Sequence, residues 1–297
     1  MKLIKPSFEI WQQPSGLEGI YKQIEHVGRV CYKSEDKITE DSAKPFVDRM
    51  IKSQHYAMLE HGTLYFKIPV NIDEAGNFLD EVSTWTKCKL VESPEGNWWA
   101  ITTNLRVMME HFASEYMEEL ISKYLCEPTE HHERRVTVKF ITDQGILREF
   151  TRHRVFSFAV ESTRYCNYSK DKFNNEVAYI IPSWLHWDEQ TIHYGDFEKS
   201  GSGSEDSKLF VNSLLDAEKS YFRLLKEGWK PQQARNVLPL ATKCDVVMTG
   251  FVSDWKHFFR LRTSILAETG RPHPDASALA DPLYKEFIDR GYMESLV

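Results

Sequence analysis

No stretch of this 297-residue sequence is apolar for long enough to cross a membrane. The opening residues, MKLIKPSFEIW, lack the apolar core of a secretory leader. No Cys-x-x-Cys pair occurs. The five cysteines (Cys31, Cys88, Cys126, Cys166, Cys244) are odd in number and widely spaced, which excludes a disulfide framework and predicts free thiols in a reducing, cytoplasmic setting. There is no Gly-x-Gly-x-x-Gly turn between a strand and a helix, so no Rossmann-type dinucleotide domain is indicated. His131-His132-Glu133 has no second ligand pair at suitable spacing, which argues against a metal site. A net charge of −7 leaves no basic surface for general nucleic-acid binding, although it permits a local basic site for an anionic metabolite.

What is present suits a globular protein: 41% hydrophobic and 27% charged residues, in a chain long enough to bury a substantial core. Residues 16–31 and 40–54 read as helices. TLYFKIPV at 63–70 reads as a strand because β-branched and aromatic residues dominate it. Between 71 and 131 the pattern predicts short helices around Asn77–Trp85 and Leu105–Leu125 and a strand near Trp98–Thr103. RRVTVKFIT at 134–142 alternates as a half-buried strand does. The segment 143–154 reads as a helix capped by Asp143, with Ile146, Leu147 and Phe150 on one face. A strand at 176–181 ends at Pro182, and KSGSGSEDS at 199–207 reads as a mobile loop. Helices at about 206–227 and from Pro231, a strand at 244–252, and helices at 253–266 and 275–290 complete the chain. Strands and helices mix without regular βαβ alternation, so the expected class is α+β, a mixed sheet with packed helices, in one domain spanning 1–297.

The chemistry concentrates in REFTRHRVFSFAVESTRYC, residues 148–166. Four arginines there stand against two glutamates. On a continuous helix Arg148 and Arg152 would share a face, and like charges at that spacing repel by a few tenths of a kcal/mol. A bound anion would offset this. Val155, Phe156, Phe158 and Val160 interrupt the charges and draw the segment toward buried surface. Ser157, Ser162 and Thr163 add hydroxyl donors beside the guanidinium groups, a combination suited to phosphate. Ser162 lacks the partners of an acyl-transfer triad and reads as an anion-binding hydroxyl.

Arg152-His153-Arg154, seven residues and then Ser162 matches the signature of the flavin-dependent thymidylate synthases, and Arg164-Tyr165 continues it. Glu60-His61-Gly62-Thr63 resembles that family's histidine segment ahead of its first core strand. Ala234-Arg235 through Leu238-Pro239 resembles its Ala-Arg-x-x-Leu-Pro element. His257-Phe258-Phe259 through Leu261-Arg262 resembles the helix that carries its C-terminal arginine. Four elements in order make the resemblance far more specific than one signature.

The resemblance implies a homotetramer with active sites built from several subunits, FAD as cofactor, and NADPH, methylenetetrahydrofolate and dUMP as reactants. It implies flavin contacts at Thr63, Arg152, His153, Arg154 and His257, with His61 near the reacting centre. It implies dUMP contacts at Glu149, Arg152, Glu161, Ser162, Thr163, Arg164, Arg235 and Arg262, with Arg262 activating the uracil ring. Ala159, Val160 and Phe251 depart from the family pattern on the flavin side, and much of 71–131 reads as an insertion. The alternative is a nucleotide- or RNA-binding regulatory protein without synthase activity.

Overall fold

A computed structural model describes residues 1–71, 85–170, 173–186, 189–192, 204–268 and 270–297. The strands are β1 (Lys2–Ile4), β2 (Ser7–Trp11), β3 (Thr63–Pro69), β4 (Lys87–Val91), β5 (Trp98–Asn104), β6 (Arg135–Asp143), β7 (Ser157–Val160), β8 (Ala178–Ile180), β9 (Gln190–Thr191) and β10 (Lys243–Phe251). The helices are α1 (Gly16–Tyr32), α2 (Ala43–Lys52), α3 (Leu105–His111), α4 (Ser114–Tyr124), α5 (Gln144–Phe150), α6 (Glu205–Lys226), α7 (Pro231–Ala234), α8 (Val252–Arg262) and α9 (Pro274–Asp289). The class is α+β, as the sequence pattern predicts.

The central sheet is antiparallel, in the order β2-β6-β10-β7, with Arg135 opposite Phe251 and Asp143 opposite Lys243. Alternation along β6 sorts its side chains. Val136, Val138 and Phe140 join Val246 and Met248 of β10 against α5, α8 and α9, where Phe150, Trp255, Phe258, Phe259, Leu283 and Phe287 are buried. Each such side chain contributes about 1.5–3 kcal/mol by leaving water. Trp255 satisfies its polar tip by donating from Nε1 to the Val136 carbonyl at 3.1 Å. Gly250 is required by close approach, since a Cβ there would lie 2.5 Å from the Phe156 ring. The opposite face presents Trp11, Val247 and Ala159 to Ile20, Ile24 and Val27 of α1.

A second antiparallel sheet, β3-β5-β4, builds the stretch that reads as an insertion into the α1–α2 core. Thr63 to Pro69 pair with Asn104 to Trp98 along their whole length, and Leu105, Met108 and Leu120 pack in the same cluster as α1 and α2. The strand near Trp98 is present. The helical stretch after it splits at Phe112 into α3, capped by Asn104 Oδ1 on the Val107 amide at 3.1 Å, and α4. Of the helix expected around Asn77–Trp85, residues 77–84 lie outside the described residues, as do residues 199–203 of the Gly/Ser-rich loop. A third sheet, β8-β1-β9, sits against α6 through Leu3, Tyr179, Val211 and Leu215.

Asp143 caps α5 as expected, its Oδ1 accepting from the Ile146 amide at 2.8 Å. The helix stops at Phe150 rather than running to residue 154. The chain turns there because His153 folds inward against Phe156 and Phe258, leaving Arg152 and Arg154 exposed on either side. Arg148 and Arg152 therefore do not form the one-turn helical pair that a continuous helix predicts.

Candidate active site

Arg262 is the last residue of α8, one turn beyond the buried Phe258, and its guanidinium reaches the end of α5. Nη1 donates to Glu149 Oε2 at 2.5 Å, Nη2 to the Glu149 carbonyl at 2.9 Å, and Nε to His153 Nε2 at 3.0 Å. The carbonyl contact satisfies one of the acceptors that every helix C-terminus leaves open. A guanidinium has five N–H donors in a planar fork, so this clamp fixes its plane with donors to spare. His153 must accept from Arg262 and therefore carries its proton on Nδ1. Burial, then the neighbouring Arg262 and His257, push its pKa down to about 4 and keep the ring neutral. His257 is exposed, with its ring 6.2 Å from that of His153. The exposed guanidinium groups of Arg152 and Arg154 have no side-chain partner among the described residues.

Arg148, the residue before Glu149, lines a different feature. A cleft of about 370 Å³ is walled by Arg148, Gln144, Thr163, Arg235, Asn236 and Thr242, with Leu238–Leu240 at its edge. Arg235 Nη1 donates to Thr163 Oγ1 at 2.7 Å, and Arg164 Nε donates to Gln232 Oε1 at 3.1 Å. Two guanidinium groups and a hydroxyl around one open cleft are a donor set for a phosphate dianion. Arg148 and Gln144 line this cleft although the sequence pattern assigns neither a contact. The available signal was the position of Arg148 at the head of the basic segment.

Glu161 and Thr63 are both buried. The Glu161 carboxylate turns away from the cleft and is buried among Lys33, Lys243 and Asp245, and the amides of Glu161 and Ser162 are taken by the Asp245 and Cys31 carbonyls at 2.8 and 2.9 Å. The Glu161 side chain is thereby an internal ion partner. It is drawn inward because three lysine ammoniums lie beside it and Asp245. Thr63 is buried on β3, its hydroxyl accepting from Arg135 Nη1 at 3.2 Å, with no hydrogen bond to the Arg152–Arg154 segment among the described residues. Arg135 also donates to the Glu60 carbonyl at 2.9 Å and to Ser157 Oγ at 3.2 Å, and lies 5.5 Å over the Phe251 ring. Phe251, where the family pattern has asparagine, thus cushions a buried cation. Burial lowers the Arg135 pKa to about 10. The in-phase run Arg135, Thr137, Lys139 was the sequence signal for this polar face.

His61 is likewise internal. Its Nδ1 lies 2.8 Å from Thr249 Oγ1, which in turn lies 2.8 Å from Thr137 Oγ1. Burial, then the Arg135 charge, push its pKa down to about 3, so it is a neutral core residue. His132 and Glu133 are committed too: His132 Nε2 faces the Phe66 carbonyl at 3.0 Å, and Glu133 accepts from the Ser253 amide at 3.0 Å.

A family described as thymidylate synthase complementing protein matches residues 90–290, which include Arg152–Arg154, Ser162, Arg235 and Arg262. The chain belongs to that family. The match begins inside the stretch that reads as an insertion and leaves Glu60–Thr63 outside it. Among curated members, the chain is 29% identical over 153 residues to a probable flavin-dependent thymidylate synthase of Paramecium bursaria Chlorella virus 1, covering 51% of this chain and 67% of that one. It is 29% identical over 131 residues to the flavin-dependent thymidylate synthase of Haloarcula marismortui, covering 41% and 51%. The chain thus spans between about half and two thirds of the length of these relatives. A crystal structure of the UMP/dUMP methylase PolB from Streptomyces cacaoi with 5-Br dUMP is similar at a TM-score of 0.44 and 17% identity, over 97% of this chain and 93% of that one.

Proposed function

We propose that this chain is a flavin-dependent thymidylate synthase, which converts dUMP to dTMP with methylenetetrahydrofolate as carbon donor and NADPH as reductant, acting through FAD. The observation that carries the reading is the Arg262 guanidinium, fixed by Glu149 and a neutral His153, within one short helix of a two-arginine cleft. Atoms balance as dUMP, methylenetetrahydrofolate, NADPH and a proton giving dTMP, tetrahydrofolate and NADP.

The residues present fit the flavin. Arg152 and Arg154 offer unpaired guanidinium groups for its diphosphate, and the exposed His257 adds a ring donor beside them. When bound, FAD supplies the hydride that completes the methyl group. Arg148, Arg235 and Thr163 hold the nucleotide phosphate, with Ser162 and Arg164 in the same loop. Glu149 and His153 orient Arg262 so that its free donors face the pyrimidine. There a fixed positive charge stabilises the negative charge that develops as C5 becomes nucleophilic. The neutral state of His153 matters, because a protonated ring would repel Arg262 and lose the acceptor that aligns it.

The active form is a homotetramer, consistent with the exposed Tyr165, Trp229 and Leu240 around the loop and cleft. The purified protein is expected to be yellow and tetrameric by light scattering. Its NADPH-reduced flavin should reoxidise anaerobically only when dUMP and methylenetetrahydrofolate are both added. A colourless monomer that does not quench FAD fluorescence on titration contradicts the reading.

Cysteine plays no part in this chemistry. Cys166 is 1% exposed, its amide donating to the Ser162 carbonyl at 2.9 Å behind the loop. A thiolate nucleophile needs access and a depressed pKa, whereas burial pushes Cys31 and Cys88 up to about 11. Cys166→Ser is therefore expected to retain dTMP synthesis within a few-fold once FAD loading matches the parent. An FAD-loaded Cys166→Ser protein with no turnover at saturating dUMP contradicts this.

A further inference from the structure

Directly behind Ser162 lies a cluster of charges that the reaction does not use. Glu161 Oε2 accepts from Lys243 Nζ at 2.7 Å and from the Asp245 amide at 3.2 Å, and lies 3.9 Å from Lys33 Nζ. Asp245 pairs with Lys243 at 2.6 Å, with Lys139 at 3.5 Å, and with Lys33. Both carboxylate side chains are only 1% exposed. The three lysines come from separate elements: Lys33 ends α1 in the left-handed region (φ 47°), Lys139 is on β6 and Lys243 on β10. Burial alone would raise the Asp245 pKa, but Lys243, Lys33 and Lys139 hold it down at about 2, so the cluster stays charged. Buried ion clusters are a poor source of stability compared with apolar packing of equal volume, and their best-attested use is to fix geometry.

The geometry fixed here is that of the phosphate loop. Four successive residues are each tied to a different part of the fold. Glu161 is bound to β10 through its amide and its carboxylate, and Ser162 to the Cys31 carbonyl of α1. Thr163 is bound to Arg235, and Arg164 to Gln232 of α7.

We propose that Glu161 is a positioning residue for the nucleotide: its buried carboxylate, held by Lys243 and the Asp245 amide, sets the loop Ser162–Arg164 against Arg148 and Arg235 before the phosphate arrives. The inference rests on the synthase reading only in taking dUMP as the ligand. A loop assembled in advance binds its anion without an ordering cost. Without the Glu161 charge, three ammoniums face one carboxylate, and the loop end moves to relieve them.

The test uses FAD-loaded enzyme with Glu161→Leu and Glu161→Gln. Leucine should raise Kd and KM for dUMP by about tenfold, with kcat at saturating dUMP within twofold and FAD affinity unchanged. Glutamine keeps an acceptor for the Asp245 amide but not the charge that offsets the lysines, and should recover only part of the loss. Binding of deoxyuridine, which has no phosphate, should be the same in parent and variants. If Glu161→Leu does not fold, Glu161→Gln alone carries the test and should show the same split between dUMP and deoxyuridine in smaller measure. Parent-like dUMP binding by Glu161→Leu, or by Glu161→Gln where the leucine variant does not fold, overturns the proposal. So does a parallel decline of kcat, FAD affinity and deoxyuridine binding, which marks a purely structural role. A parent enzyme that binds FAD but no dUMP is a failure of the synthase reading itself, and is distinguished by the parent measurement alone.

Discussion

Arg262→Ala is expected to lower dTMP formation by about 10²–10³-fold, or roughly 3–4 kcal/mol of transition-state stabilisation, the usual effect of deleting one fixed donor at a developing anion. FAD should still bind, because Arg152, Arg154 and His257 are untouched, and NADPH should still bleach it. The structure sharpens the expectation for Arg262→Lys. Lysine keeps the charge but cannot hold Glu149 Oε2, the Glu149 carbonyl and His153 Nε2 at once, as the guanidinium fork does. It should recover only a small part of the rate. Ser162→Ala, at the phosphate loop, should instead weaken dUMP binding while leaving kcat largely intact. Product chromatography, flavin absorbance and anaerobic reduction by NADPH separate these outcomes. Turnover by Arg262→Ala close to the parent rate would show that the clamped guanidinium is not the activating group.

Acid should destabilise the fold through its buried histidines, His61 above all. In the unfolded chain His61 titrates near 6.5. In the folded chain burial and Arg135 depress it to about 3. Between those values the unfolded state holds the extra proton, so stability is complete above pH 6.5 and falls as pH drops toward 3. At about 1.4 kcal/mol per pH unit, going from pH 7.5 to 5 costs the fold about 2 kcal/mol through this residue alone. His153, depressed to about 4, adds in the same direction. The check is a comparison of urea unfolding at the two pH values for the parent and for His61→Gln, whose amide never charges. The parent should lose about 2 kcal/mol more than the variant over that interval. Parallel profiles would mean that His61 is not the neutral buried group described.

How much of this was legible in the sequence depends on the element. The period-2 run of β6, the Asp143 cap and the long apolar faces of α6, α8 and α9 follow from local pattern, because each buries one face and the pattern repeats. β1 has only three residues and acquires its identity from pairing with β8 and β9, so no local signal marks it. The overrun of α5 has a similar cause. Nothing after Phe150 breaks the helical pattern locally, and the stop comes from His153 being pulled against Phe156, Phe258 and Arg262.

The sequence by itself determined the family, the α+β class and the arginine-rich segment, because residue spacing within single segments carries all three. Only the tertiary structure decided where each charge of the motif is held. Glu149 and Glu161 flank the same motif in sequence and both look like ligands. One clamps Arg262 at the end of α5. The other is held internally by Lys243, Lys33 and the Asp245 amide. The physical reason is that a carboxylate's role is set by which cations lie within a few ångströms, and those cations come from strands and helices far along the chain that only folding brings together.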